Sequence, residues 1–217
     1  MELSFLKKAV WPTYAAFAEI IKNSPELRTL TLSFAGPVLP HNVAFDPDEA
    51  WGPVPLAIPS LTKLVLRFCG QKYPMALVQH LDMPNVTHLV LDFNKKDYSD
   101  FIQTLAKPVK GRDQSLLQQV SHLKMTGLSF DLTCVEVLLS QLISLKSLNL
   151  QPSGRIDEII CDALLDPIGP TSVDSPEFFC PKLEEIATSL DDETAKALII
   201  GRRNAGLPLK RIRYIIY

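Results

Sequence analysis

The sequence predicts a mixed α/β solenoid: one curved parallel sheet of about seven short strands, with helices on its convex side. Three observations lead there. A phrase of the form Leu-x-x-Leu-x-Leu recurs every 25 to 38 residues, its copies alternate side chains with a period of two, and stretches with a helical apolar period follow them. A unit this short cannot bury its apolar face alone, so neighbouring units must stack. Strands joined through helices run parallel.

The copies begin with Leu27-Leu30-Leu32, Leu61-Leu64-Leu66 and Val86-Leu89-Leu91. They continue as Val120-Leu123-Met125 and Leu145-Leu148-Leu150, then a degraded Leu183-Ile186, and end with Leu209-Ile212-Tyr214. Within Leu89-Val90-Leu91 or Leu148-Asn149-Leu150 the alternation puts one face of a strand in the core, and Leu89 and Leu148 are expected there. Helices are expected over Pro12–Asn23, Tyr73–Leu81, Asp97–Lys107, Asp131–Leu142, Ile156–Leu165 and Asp191–Asn204. The last carries acids at its start, Arg202 and Arg203 at its end, and Gly206 as a left-handed stop. Three stretches interrupt the pattern: the proline-rich Gly36–Pro59, the polar Lys107–Gln114 and the proline-rich Asp166–Pro181. The whole of residues 1–217 reads as a single domain.

Composition narrows the function classes. A net charge of −2 and a pI near 6.1 exert no general pull toward nucleic acid or acidic membranes. No apolar run reaches the roughly 18 to 20 residues that span a bilayer, and the N-terminus lacks the basic-then-apolar order of a signal peptide. Cys69, Cys134, Cys161 and Cys180 lie far apart in apolar or element-terminal settings. They read as free, mostly buried thiols of a reducing compartment, cytoplasmic or nuclear.

The repeating phrase resembles the leucine-rich-repeat unit L-x-x-L-x-L-x-x-N/C-x-L, and Leu61 to Cys69 and Val86 to Asn94 keep its ninth position. Several longer phrases resemble the repeat region (of the ribonuclease-inhibitor-like kind) of fungal F-box proteins. They are Pro59-Ser60-Leu61-Thr62-Lys63-Leu64, Met83-Pro84-Asn85-Val86-Thr87-His88-Leu89, Val120-Ser121-His122-Leu123 and Cys180-Pro181-Lys182-Leu183-Glu184-Glu185. Phe34-Ala35-Gly36-Pro37, followed by a proline-rich loop, fits the same set, and the resemblance covers most of Ser24–Tyr217. It implies that the side chains of Cys69 and Asn94 cap backbone amides in the turn after their strands. It also implies substrate recognition for a cullin-RING ubiquitin ligase. The sequence begins almost directly in the helix ahead of the first strand, and its nearest Leu-Pro, Leu39-Pro40, falls inside the first long loop. The F-box itself is therefore read as absent. Docking to the ligase adaptor is expected only if an upstream F-box is missing from this chain.

Residues between the inward leucines project onto the concave face, and a protein partner is expected there. The candidate site is Val65 and Val90 as an apolar centre, with Lys63, Arg67, His88, Asp92, His122, Lys124 and Asn149 around it. Trp51, amid prolines in the first long loop, is placed over one edge of that site. His88 and His122 take equivalent places on adjacent strands, with Cα atoms about 5 Å apart. Two imidazoles so placed share a metal or repel when protonated. The flanking Lys63 and Ser147 supply no third ligand, so they read as solvent-facing histidines and no metal is assigned.

No catalytic residue or cofactor is assigned either. No cysteine is expected to face the histidines, and the sequence lacks a Gly-rich phosphate loop, Gly-x-Ser-x-Gly and His-Glu-x-x-His. Lys196, Arg202, Arg203, Lys210, Arg211 and Arg213 read as a solvated terminal cap rather than a nucleic-acid surface. Trp11, Tyr14 and Phe17, ahead of the first strand, are expected to leave an exposed apolar patch or to drive self-association at that end. Two functions lead: a protein-binding module like the substrate-recognition part of an F-box receptor, or a stand-alone repeat scaffold or inhibitor unconnected to ubiquitin ligation; an unassigned hydrolase ranks third, for lack of any nucleophile–base pair.

Overall fold

The computed structural model of the protein describes residues 1–4, 11–38, 51–151, 156–168, 177–189 and 191–215. Eight of its strands form one parallel sheet. They are β1 (Glu2–Ser4), β2 (Thr29–Ser33), β4 (Lys63–Arg67), β6 (His88–Asp92), β7 (His122–Thr126), β8 (Ser147–Gln151), β11 (Glu185–Thr188) and β12 (Arg211–Tyr214), adjacent in that order. Two short pairs stand apart: β3 (Leu56–Ala57) runs parallel to β5 (Leu81–Asp82), and β9 (Pro167–Ile168) antiparallel to β10 (Glu177–Phe178). The described residues hold seven helices: α1 (Tyr14–Lys22), α2 (Lys72–His80), α3 (Ser99–Ala106), α4 (Leu116–Gln119), α5 (Leu132–Gln141), α6 (Ile156–Ala163) and α7 (Asp192–Asn204).

The period-two alternation sets the register. Leu30, Leu64, Leu89, Leu123, Leu148 and Ile186 fall opposite one another across the strands, and each is at most 2% exposed. Burying a side chain of this size stabilises by about 1.5 to 3 kcal/mol, so the row accounts for much of the cohesion between units. A slip of one residue would turn the whole row to the other face. From β4 to β12 the strands of this sheet also begin on the same device. The Arg28 carbonyl accepts from the amides of Thr62 and Lys63, Thr62 from Thr87 and His88, and Thr87 from Ser121 and His122. The pattern continues through Ser121, Lys146 and Glu184 to Lys210 and Arg211. These carbonyls recur at the spacing of the leucine phrase, so the sequence period is also a hydrogen-bonding period.

Helices α2, α3, α5 and α6 touch in succession, and their apolar faces join the strand leucines in a core running from Phe17 to Leu209. Helix α1 starts on the Thr13 hydroxyl, which accepts from Ala16 N–H at 3.2 Å, and α7 on Asp191, which accepts from Thr194 N–H at 2.9 Å. Gly206, at φ +72°, follows α7 as the left-handed stop.

Several expectations need correction. The sheet has one more strand than the leucine phrase indicates, because β1 pairs beside β2. The Met1 ammonium donates to the Thr29 carbonyl at 2.8 Å, and Thr31 N–H donates to the Met1 carbonyl at 3.0 Å. Of the N-terminal aromatics, Phe17 is fully buried and Tyr14 stacks on Trp51 with centroids 5.1 Å apart, so the expected apolar patch narrows to the half-buried Trp11, which meets the exposed Phe34 edge-on. Trp51 is only 6% exposed and also meets Tyr73 and His80 of α2 edge-on, so it fills the helix side instead of overhanging the open sheet face. Strand β3 and the pair β9–β10 fall within the proline-rich stretches, which otherwise lie partly outside the described residues, at 39–50 and 169–176. Proline at the first position of the short β9 removes a donor that no central ladder needs.

Candidate interaction face

The sheet face turned away from the helices carries the intervening residues in rows fixed by the strand register. Lys63, His88, His122 and Ser147 form one row, Val65, Val90, Lys124 and Asn149 the next, and Arg67, Asp92, Thr126 and Gln151 the third. All nine predicted site residues therefore lie on one face. They do not contribute equally. Lys63, His88, Val90, His122, Lys124 and Asn149 line a shallow depression of about 130 Å³. Arg67 and Asp92 sit to one side and pair with each other at 3.6 Å.

Val65 departs from its expected role. It projects onto this face, yet flanked by Thr31 and Val90 across the sheet it is only 5% exposed. The apolar centre therefore reduces to Val90, which is half-buried.

The histidines are closer than their register alone requires. Their rings stack with centroids 4.2 Å apart and planes 3° from parallel. Parallel strands at about 4.8 Å spacing give equivalent residues the same local frame, so equal rotamers stack. His88 Nδ1 lies 3.0 Å from the Thr87 hydroxyl and His122 Nδ1 2.9 Å from the Ser121 hydroxyl. Desolvation lowers the pKa of His88, and His122 and then Lys63 lower it further. Stacked rings aim their outer nitrogens along parallel lines, not at one point, so this arrangement does not chelate a single ion. Among the described residues, three or more His, Cys, Asp or Glu side chains nowhere gather in a metal-binding group. The Asn149 side-chain oxygen is buried with no hydrogen-bond partner.

All four cysteines are free and buried. Burial pushes the thiols of Cys69, Cys161 and Cys180 up to about 12, which keeps them protonated at neutral pH. The ninth-position side chains do not cap amides. The Cys69 thiol donates to the Arg67 carbonyl at 3.4 Å, and Asn94 accepts from the Tyr98 hydroxyl at 2.8 Å. The C-terminal basic group is not simply solvated either. Lys210 pairs with Glu184 at 3.0 Å, Arg211 and Arg213 both hold Glu185, and Arg202 is buried.

A second feature went unread in the sequence. Phe34 and Phe68 directly follow β2 and β4 with φ of 48° and 53°, a left-handed conformation costly for a bulky side chain. With Trp11 and Tyr73 they line a cavity of about 540 Å³ at the carboxyl ends of those strands. The Tyr73 hydroxyl is buried without a hydrogen-bond partner, and burial pushes its pKa up. The recurrence of Phe34, Phe68 and Phe93 just after successive strands was the available signal.

No family model, curated protein or solved structure matches this chain. No helix among the described residues is long and apolar enough to cross a membrane.

Proposed function

We propose that the chain is a leucine-rich-repeat solenoid whose uncovered sheet face binds a protein partner. One observation carries the reading: the open face sets its side chains, polar apart from Val65 and Val90, in unbroken in-register rows from β4 to β8, around a depression that no described element covers. Stacked units make extended surfaces and bring no built-in chemistry. The two-amide carbonyl device at the starts of β4, β6, β7, β8, β11 and β12 supports the solenoid, because it links each unit only to the next. The resemblance to F-box repeat regions makes substrate recognition for a ubiquitin ligase the narrower form of the proposal, and a stand-alone scaffold or inhibitor the alternative. Buried, unpaired thiols suit a reducing compartment, cytoplasm or nucleus.

Affinity capture on the immobilised protein, with the retained protein identified by mass spectrometry and its binding then measured directly, tests the site. Val90→Tyr and Asn149→Tyr add bulk at half-buried open-face positions while keeping strand propensity. Each should weaken partner binding at least tenfold with an unchanged melting curve. Leu132→Glu and Ile143→Glu alter exposed positions at the start of α5 and just beyond its end, and should have little effect. Binding that survives the first pair and is lost with the second would move the site off the sheet face. Val65→Glu is unsuitable, since it would bury a charge.

A further inference from the structure

We propose that the depression around the stacked pair His88–His122 is a carboxylate site that takes an acidic segment of the protein partner, with a proton taken up as it binds. The inference rests on the reading of the open face as a docking surface and names the chemistry of what docks.

Charge comes first. Lys63 and Lys124 line the depression with the two imidazoles, and none of its lining residues is acidic. The nearest acids on the face are already engaged: Asp92 by Arg67, and Glu185, across Ser147 on the next strand, by Arg211 and Arg213. The face is therefore locally cationic on a chain of net charge −2.

The proton follows from the charges. Desolvation, the stacked His122 ring 4.2 Å away and Lys63 on the neighbouring strand all disfavour a charged His88. A carboxylate docked over the pair supplies the missing counter-charge, and it favours the protonated imidazole whichever ring nitrogen carries the hydrogen of the neutral form. Binding therefore takes up a proton, and affinity climbs as pH falls through the bound-state value. It levels off once the free ring protonates by itself.

The geometry favours carboxylate over phosphate. No arginine lines the depression, and the amides of β6 and β7 are committed to the sheet ladder, so neither a guanidinium fork nor a nest of free N–H groups is present. A volume of about 130 Å³ suits a carboxylate head group with its chain continuing across the face.

The test is fluorescence anisotropy of a fluorescein-labelled decaglutamate peptide at pH 7.5 and 5.5 in low salt. The wild type should bind at least tenfold more tightly at pH 5.5. His88→Gln/His122→Gln should reduce that ratio below threefold, and Lys63→Ala/Lys124→Ala should weaken binding at least fivefold at both pH values. Equal binding at the two pH values, a wild-type pH ratio in His88→Gln/His122→Gln, or stronger competition by a phosphoserine peptide than by unlabelled decaglutamate would each overturn the inference. If partner capture is lost in Val90→Tyr yet unchanged in the histidine and lysine variants, the docking face stands and the carboxylate site falls. If capture ignores all of these changes, the docking reading itself falls.

Discussion

Replacing Arg202 with alanine should destabilise the C-terminal end of the sheet far more than its place in the sequence suggests. The guanidinium is 1% exposed and donates to three carbonyls: Nη1 to Leu164 at 3.0 Å and to Phe179 at 3.1 Å, and Nη2 to Cys180 at 2.7 Å. It thus ties α7 to the end of α6 and to the segment leading into β11. Each carbonyl left without a donor costs about 1 to 3 kcal/mol, and three of them set the upper bound. Against this, the variant no longer strips a guanidinium of water, which returns several kcal/mol. A net loss of about 3 kcal/mol follows. Arg202→Lys should lose about 2 kcal/mol, because one ammonium nitrogen cannot serve acceptors that two guanidinium nitrogens divide between them. The adjacent Arg203 is exposed, and Arg203→Ala should stay within about 0.5 kcal/mol of wild type. Equilibrium urea unfolding, followed by circular dichroism and tryptophan fluorescence, measures all three. If Arg202→Ala and Arg203→Ala differ by less than about 1 kcal/mol, the carbonyl bonds do not hold this region and the argument fails.

Two further outcomes are expected. Gly127 sits at φ +64° directly after β7, and a β-carbon there would collide with the Phe93 backbone carbonyl, so Gly127→Ala should cost about 2 to 4 kcal/mol in the same urea assay; a loss under about 1 kcal/mol would show that the turn can relax. Asp157 is 3% exposed, and neither carboxylate oxygen has a hydrogen-bond partner. Burial raises its pKa; the Ser189 hydroxyl, near but outside hydrogen-bond geometry, pulls it back, and Glu158 raises it further. A carboxyl raised in the folded state holds its proton more tightly there, so its contribution is favourable in acid and lost as pH rises through the folded value. Asp157→Asn should therefore be more stable than wild type at pH 7.5, with the gap closing toward pH 4; an equal gap at both, or a less stable variant, would contradict this.

The repeat leucines were legible because each strand faces core on one side and solvent on the other, which imprints a period of two that any continuous core must repeat. Leu89 and Leu148 are accordingly fully buried. The registration of Lys63, His88 and His122 could also be read, since parallel strands of equal phrase align equivalent positions. Strand β1 could not. It is three residues long, carries no leucine phrase, and pairs only because the edge of β2 offers free backbone groups.

By itself, then, the sequence determined the parallel sheet, its order along the chain and which side chains share the open face, because local periodicity and short connections decide these. Only the tertiary structure decided how buried each of those side chains is. Val65 and Val90 occupy equivalent positions, yet one is closed off between its neighbours and the other is left half-open. Arg202 and Arg203 are consecutive in a helix end rich in basic residues, and only the packing of α7 sends one inward to three carbonyls and leaves the other in water. Burial and hydrogen-bond direction depend on what stands opposite in space, and the period of a repeat carries no information about that.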